Sequence, residues 1–98
     1  MIVSGLKELD DFVQKNAQAE KPLNDFIAKV KSATWKSHAD VVATFGTAVV
    51  YLKNGRYKFK IGGNKYRLIA VVLFVGGTLI VRYIGTHADY DKINALEI

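Results

Sequence analysis

Three turn signals in the second half constrain this chain more than any other feature. Asn54-Gly55, Gly62-Gly63 and Gly76-Gly77 interrupt a run of β-branched and aromatic residues that begins at Thr47. Such pairs supply the positive φ angles that tight hairpin turns need, so three of them predict four antiparallel strands joined in series. Within Arg56 to Ile61 the alternation sets Tyr57, Phe59 and Ile61 on one face and Arg56, Lys58 and Lys60 on the other. The aromatic face is expected to point into a core and the cationic face away from it.

Upstream the period becomes helical. Ile2-Val3 reads as a short edge strand, and Ser4 as the cap of a helix that buries Leu6, Leu9, Phe12 and Val13 and ends near Asn16. Pro22 suits the first turn of a second helix carrying Leu23, Phe26, Ile27 and Val30, with Asp25 and Lys29 paired four residues apart on its outer side. Ser37 with Asp40 three residues later resembles a cap for a third helix through Val41, Val42 and Phe45. The expected architecture is α+β: N-terminal helices packed on one face of a C-terminal antiparallel sheet, the other face free, and a short C-terminal helix. With 98 residues, half of them hydrophobic, the chain supports one core and is read as a single domain over 1–98.

A two-residue turn at Gly62-Gly63 would pair Ile61 with Asn64, Lys60 with Lys65 and Lys58 with Arg67. The same count from Gly76-Gly77 sets Val75 opposite Thr78, Arg82 opposite Val71 and Thr86 opposite Arg67, with His87 just past the strand near Tyr66. A one-residue bulge would change these pairs. Arg67, Arg82 and His87 are thereby expected at one end of the sheet, with Ala88 to Leu96 folding back beside them. Like charges directly opposite each other cost roughly a few tenths of a kcal/mol per pair, a cost that a bridging anion offsets.

Charge is distributed unevenly. The first forty residues balance six lysines against six carboxylates, whereas no acidic residue lies between Asp40 and Asp89, so the net charge of +5 resides in the strands. That pattern favours a polyanionic partner. The chain has no cysteine, which removes disulfides, thiolate metal sites and sulfur nucleophiles, and fits a reducing cytoplasm. Leu68 to Val81 is uncharged for only 14 residues and contains Gly76-Gly77. A bilayer-spanning helix needs roughly 18 to 20. No membrane segment is expected, and Met1 to Asp11, with its adjacent aspartates, predicts no export.

Cleaving a phosphodiester through its own 2′-hydroxyl requires a group to take the hydroxyl proton, a group to protonate the leaving oxygen, and cations around the phosphate. His87 suits either proton-transfer role, Arg67 and its neighbours suit the anion, and Tyr90 is a second acid or a stacking platform. The basic half lacks the paired carboxylates of a two-metal nuclease, and no His/Cys spacing suits a metal, so neither metal nor cofactor is expected. His38, near Trp35 at a helix start, reads as structural. Tyr57, Tyr66, Tyr83 and Tyr90 could stack on bases, those facing inward being core instead. A noncatalytic RNA- or ribosome-binding module, with His87 serving only a local turn, remains an alternative at this point.

Two motifs carry a family resemblance: Gly63-Asn64-Lys65-Tyr66-Arg67-Leu68-Ile69, and Arg82-Tyr83-Ile84-Gly85-Thr86-His87-Ala88-Asp89-Tyr90-Asp91-Lys92-Ile93, preceded in order by Trp35, Asp40, Phe45, Ala48 and Arg56. This pattern resembles the HigB family of bacterial toxins within the RelE-like group of small α+β proteins. The resemblance implies an mRNA interferase that cuts messenger on the translating ribosome and is neutralised by a HigA-like helix-turn-helix antitoxin, leaving open whether the pair forms a heterotetramer. Carried over by position, it implies a transition-state role for Arg67, a catalytic segment holding His87 and Tyr90, and RNA binding by Lys65 and Arg82. The chain departs from the family pattern at His38 and Lys60; the expectations for Lys58 as a catalytic residue and for Lys60 as an RNA ligand rest on strand parity, and Arg56, on the same face, is expected to bind RNA with them.

Overall fold

The computed structural model describes residues 1–98. Strand β1 (Ile2–Ser4) leads into α1 (Leu6–Lys15), a short 3-10 turn (Ala17–Ala19), α2 (Glu20–Ser32) and α3 (His38–Phe45). Four strands follow, β2 (Val49–Lys53), β3 (Arg56–Ile61), β4 (Tyr66–Leu73) and β5 (Thr78–Thr86), and then the four-residue α4 (His87–Tyr90). They form one sheet in the order β1-β5-β4-β3-β2, antiparallel except where β1 runs parallel to β5. The architecture is the α+β arrangement expected, with the long helices on one face.

Alternation decides that face. Tyr57, Phe59 and Ile61 of β3, Leu68, Ala70 and Val72 of β4, and Leu79, Val81 and Ile84 of β5 meet Leu9, Leu23, Phe26, Val30 and Val41 in one core. Phe26 seals its centre, with its ring 5.0 Å from Phe59 and 5.4 Å from Phe45. Fully burying such side chains contributes about 1.5–3 kcal/mol each, which makes the sheet a stiff platform.

Local differences from the expected elements have identifiable causes. Gly5, not Ser4, caps α1, because the chain leaves β1 through a left-handed residue (φ +89) whose Cβ would lie 2.9 Å from the Val81 carbonyl oxygen. At α3 the N-cap is Ser37, but its side chain makes no capping bond; the Asp40 carboxylate accepts from the Lys36 N–H at 2.8 Å instead. Asp25 and Lys29 form no ion pair, and the Lys29 ammonium lies 5.9 Å over the Phe45 ring.

The strand registers also differ from the count. Asn54 (φ +54) and Gly55 (φ +75) do form a two-residue turn, with Lys53 opposite Arg56. The next hairpin has a four-residue loop, so Ile61 faces Tyr66, Lys60 faces Arg67 and Lys58 faces Ile69. In the third, Leu73 faces Thr78, and a bulge inserts Arg82 between the pairs Ala70–Val81 and Ile69–Tyr83; beyond it Arg67 faces Gly85 and Tyr66 faces Thr86. Across β3 and β4 one like-charge pair, Lys60 with Arg67, therefore lies directly opposite, and Lys53 with Arg56 forms another across β2 and β3.

The outer face is not free, as its polarity had suggested. Arg67 is only 6% exposed and Ile69 is fully buried, although both point away from the helical layer. The segment after β5 folds back on this face: α4 packs on β4 and β5 with Tyr90 over Arg67, and the Arg56 guanidinium donates to the Ile98 carbonyl oxygen at 2.9 Å. No helix is long and apolar enough to cross a membrane.

Candidate active site

Lys58, Lys60, Arg67 and Tyr90 come together on the outer face. Parity along β3 and register across to β4 put the three cations on one surface. Tyr90, delivered by α4, lays its ring between two of them, 5.5 Å from the Lys58 ammonium and 5.8 Å from the Arg67 guanidinium carbon. Two devices place α4 there. Thr86 accepts from the Asp89 N–H at 3.2 Å, as a helix-capping residue does, and the His87 N–H donates to the Lys65 carbonyl oxygen at 3.1 Å.

Electrostatically the cluster is unbalanced. Lys7 pairs with Asp11 and the His87 ring faces Asp91, and no carboxylate forms an ion pair with Lys58, Lys60 or Arg67. Burial, with the Arg67 and Lys60 charges adding to it, lowers the pKa of the Lys58 ammonium from the ordinary lysine value. One Arg67 Nη donates to Asn64 Oδ1 at 2.7 Å, while its Nε–H is buried without a partner. An unsatisfied buried donor on a charged group is costly, and an arriving anion removes that cost.

The other expected site residues are placed differently. His87 stands at the first position of α4, close to the cluster in the chain, with its side chain about half exposed and its Nδ1 3.4 Å from Asp91 Oδ2. Arg56 lies on the cationic face but is engaged with the Ile98 and Asn54 carbonyl oxygens. Lys65 is exposed in the loop before β4. Arg82, expected opposite Val71, is instead the extra residue of the bulge, exposed and with no side-chain hydrogen bond or ion pair. Nowhere do three His, Asp or Glu side chains converge as metal ligands would.

Among the tyrosines, Tyr57 and Tyr66 belong to the core. Tyr57 Oη lies 2.9 Å from His38 Nδ1, so His38 serves that contact far from the cations, as its position at the helix start suggested. Burial, with Tyr51 adding to it, raises the Tyr57 pKa. Burial also raises that of Tyr83, with Asp89 as the lesser cause. Tyr83 folds back over Gly85, where any Cβ would collide with its ring.

Two contributors escaped sequence reasoning. Asn64 holds Arg67 and Asp91 faces His87. Asp91 follows His87 by four residues, the spacing at which side chains meet on a helix, and that signal was available. Asn64 sits in a loop, where no periodicity reports which way a side chain points.

A family model described as HigB_toxin, RelE-like toxic component of a toxin-antitoxin system, matches residues 19–93, from the approach to α2 through the whole of α4. The mRNA interferase HigB of Escherichia coli O6:H1 is 40% identical over 52 residues, an alignment covering 48% of this chain and 50% of that protein. The chain thus spans about half the length of that curated relative.

Proposed function

The chain belongs to the HigB family of RelE-like toxic components of toxin-antitoxin systems, and from that premise we propose that it is an mRNA interferase using the outer-face cluster. One observation carries the reading: Lys58 and Arg67 flank a tyrosine ring, Lys60 lies opposite Arg67 with no ion-paired carboxylate at any of the three, and the guanidinium has a buried donor left over. Such an arrangement is poorly suited to an empty protein and well suited to a phosphate.

In the proposed reaction Lys58, neutral in a fraction that its lowered pKa enlarges, takes the proton of a ribose 2′-hydroxyl. The 2′-oxygen bonds to phosphorus as the bond from phosphorus to the 5′-oxygen breaks. His87, through Nε2, or Tyr90 supplies the proton that the leaving 5′-oxygen needs. The products are a 2′,3′-cyclic phosphate and a 5′-hydroxyl. Arg67 and Lys60, opposite each other across β3 and β4, hold the equatorial oxygens as negative charge builds. Arg56, Lys65 and Arg82 contribute attraction along the strand of RNA, each as one cation and not as part of the reacting cluster.

Tyr90 covers Arg67 in the RNA-free protein, so entry of RNA requires its ring to leave the guanidinium. Stacking on a base is worth about 1–3 kcal/mol, enough to offset a lost cation–π contact of about 0.5–2 kcal/mol. The work takes place on translating ribosomes in the cytoplasm, under control of a HigA-like antitoxin. A noncatalytic ribosome-binding module is favoured by one observation, the burial of Arg67 at 6% exposure, which keeps RNA from it unless α4 moves.

The deciding experiment adds the protein to a translating extract, maps messenger 5′ ends by primer extension, and repeats this with Arg67→Ala, His87→Ala and ribosome-free RNA. New ends that require ribosomes and vanish in both variants support the proposal. Arrest of translation on intact messenger would overturn it in favour of the binding module.

A further inference from the structure

We propose that Asn64 is a positioning residue that presents the Arg67 guanidinium to phosphate by accepting a hydrogen bond from it without neutralising its charge, an inference that rests on the interferase reading above. Arginine on a cationic surface ordinarily swings into water, away from its like-charged neighbours. Here Lys60 lies directly opposite and Lys58 nearby, yet Arg67 is 94% buried. Two contacts hold it. Asn64 Oδ1 takes one Nη–H at 2.7 Å along the edge of the guanidinium, and the Tyr90 ring lies 5.8 Å from its central carbon. Asn64 is the only hydrogen-bond partner that the guanidinium has. When Tyr90 gives way to RNA, Asn64 is the hold that remains.

The choice of amide is informative. Asn64 lies outside the left-handed region that its neighbours Gly62 (φ +63) and Gly63 (φ +71) occupy, so the loop backbone places no demand for asparagine there. An aspartate at this place would bind the free arginine better, since carboxylates accept bidentate, charge-assisted bonds from guanidinium. It would also cancel the charge that the phosphate is to meet. A neutral carbonyl oxygen fixes direction and leaves the full positive charge to the substrate, which is the preorganisation that transition-state stabilisation rewards.

The test compares N64D and N64A with wild type and with K53Q, which makes the same net-charge change as N64D at an exposed residue beyond the cluster. Four quantities are read: mapped cleavage in a translating extract, single-turnover rate, melting temperature, and the salt dependence of binding to a single-stranded messenger fragment. N64A should lose about 10-fold in rate and N64D about 100-fold or more, the size of losing one charged donor to the transition state, while N64D melts no lower than wild type. The slope of log affinity against log salt should fall by about 0.7 in N64D, one phosphate contact, and hardly change in N64A. Cleavage by N64D at or above the level of N64A, losses that track melting temperature, or an equal loss in K53Q would each overturn the proposal. If wild type arrests translation without cutting, the interferase reading fails, and the salt slopes still decide whether Asn64 preserves the charge on Arg67.

Discussion

Replacing Arg67 with methionine should make the protein more stable and inactive. The guanidinium is 6% exposed, faces Lys60 across the strands and has no carboxylate partner. In its favour stand one charge-assisted bond to Asn64, about 1.5–3 kcal/mol, and a cation–π contact with Tyr90, about 0.5–2 kcal/mol. Against it stand the unpartnered Nε–H at about 1–3 kcal/mol, the opposed lysine at about 0.2–1 kcal/mol, and desolvation of the ion at several kcal/mol. The balance favours methionine, which keeps the length of the stem and its contact with Tyr90, by about 1–3 kcal/mol. For a domain of this size each kcal/mol moves the melting temperature by about 4–8 °C, so a rise of about 5 °C or more is expected in a thermal melt.

The same reasoning fixes the response to anions. Inorganic phosphate at low millimolar concentration should raise the melting temperature of wild type and not that of R67M, because a ligand at 100 times its Kd stabilises by about 2.7 kcal/mol only a protein that binds it. A melting temperature for R67M below wild type, or an equal phosphate shift in both, would falsify the view of Arg67 as an uncompensated buried charge.

Further outcomes follow from the same geometry. Because burial, Arg67 and Lys60 lower the Lys58 pKa, the cleavage rate should climb with pH and level off below the range in which free lysine titrates, near 10.4; K58R should lose the climb and about 10²–10⁴ in rate. The unfolded chain binds that proton more tightly than the folded one, so the Lys58 contribution to stability rises with pH across the window between the lowered and ordinary values, and urea titrations of K58Q should lack that slope. Asp91→Asn removes the partner 3.4 Å from His87 Nδ1 and should reduce cleavage about 10-fold with little change in melting, since an exposed pair contributes about 0–1 kcal/mol; unaltered cleavage would remove Asp91 from the site. Gly85→Ala puts a methyl group where the Tyr83 ring lies and should cost about 1–3 kcal/mol, and in a Tyr83→Ala background less than about 0.5 kcal/mol, a coupling that a double-mutant cycle of melts measures.

The sequence disclosed parity and concealed register, and one physical fact accounts for both. Side chains alternate with period two, so a hairpin loop of two residues or of four leaves Lys60, Arg67 and Ile69 on the same face. Hydrophobic pattern therefore indicates the correct surface for every cation of β3 and β4 but not the partners of Lys58 and Lys60, which face Ile69 and Arg67, while Lys65 lies in the loop. Asn54-Gly55 forms the two-residue turn its composition indicates, whereas Gly62-Gly63 and Gly76-Gly77 also take positive φ at both positions but sit inside four-residue loops, so the dipeptide alone does not fix loop length. Arg82 was misplaced because a bulge displaces one residue without any compositional mark in the strand. The covering of the outer face was hidden for another reason: Tyr90, in the segment that follows β5, lies over Arg67, and short stretches such as Ala88 to Leu96 carry no periodic signature of what they pack on.

That covering bears on why the cluster can exist at all. Three unneutralised cations would ordinarily disperse into water, yet β3 and β4 are held rigidly by the aromatic core beneath, so Lys58, Lys60 and Arg67 cannot separate at their backbones. Tyr90 relieves part of the resulting strain with its negative ring face, an attraction that fades steeply with distance and costs no permanent charge. A carboxylate in the same place would have satisfied the cations fully and excluded phosphate. The ring sits on a helix of only four residues, held by the Thr86 side chain and the Lys65 carbonyl, so it can be exchanged without disturbing the sheet. On the proposed reading, the rigid half supplies position and the movable half supplies a placeholder, and RNA replaces the weaker of two partners for the same charges.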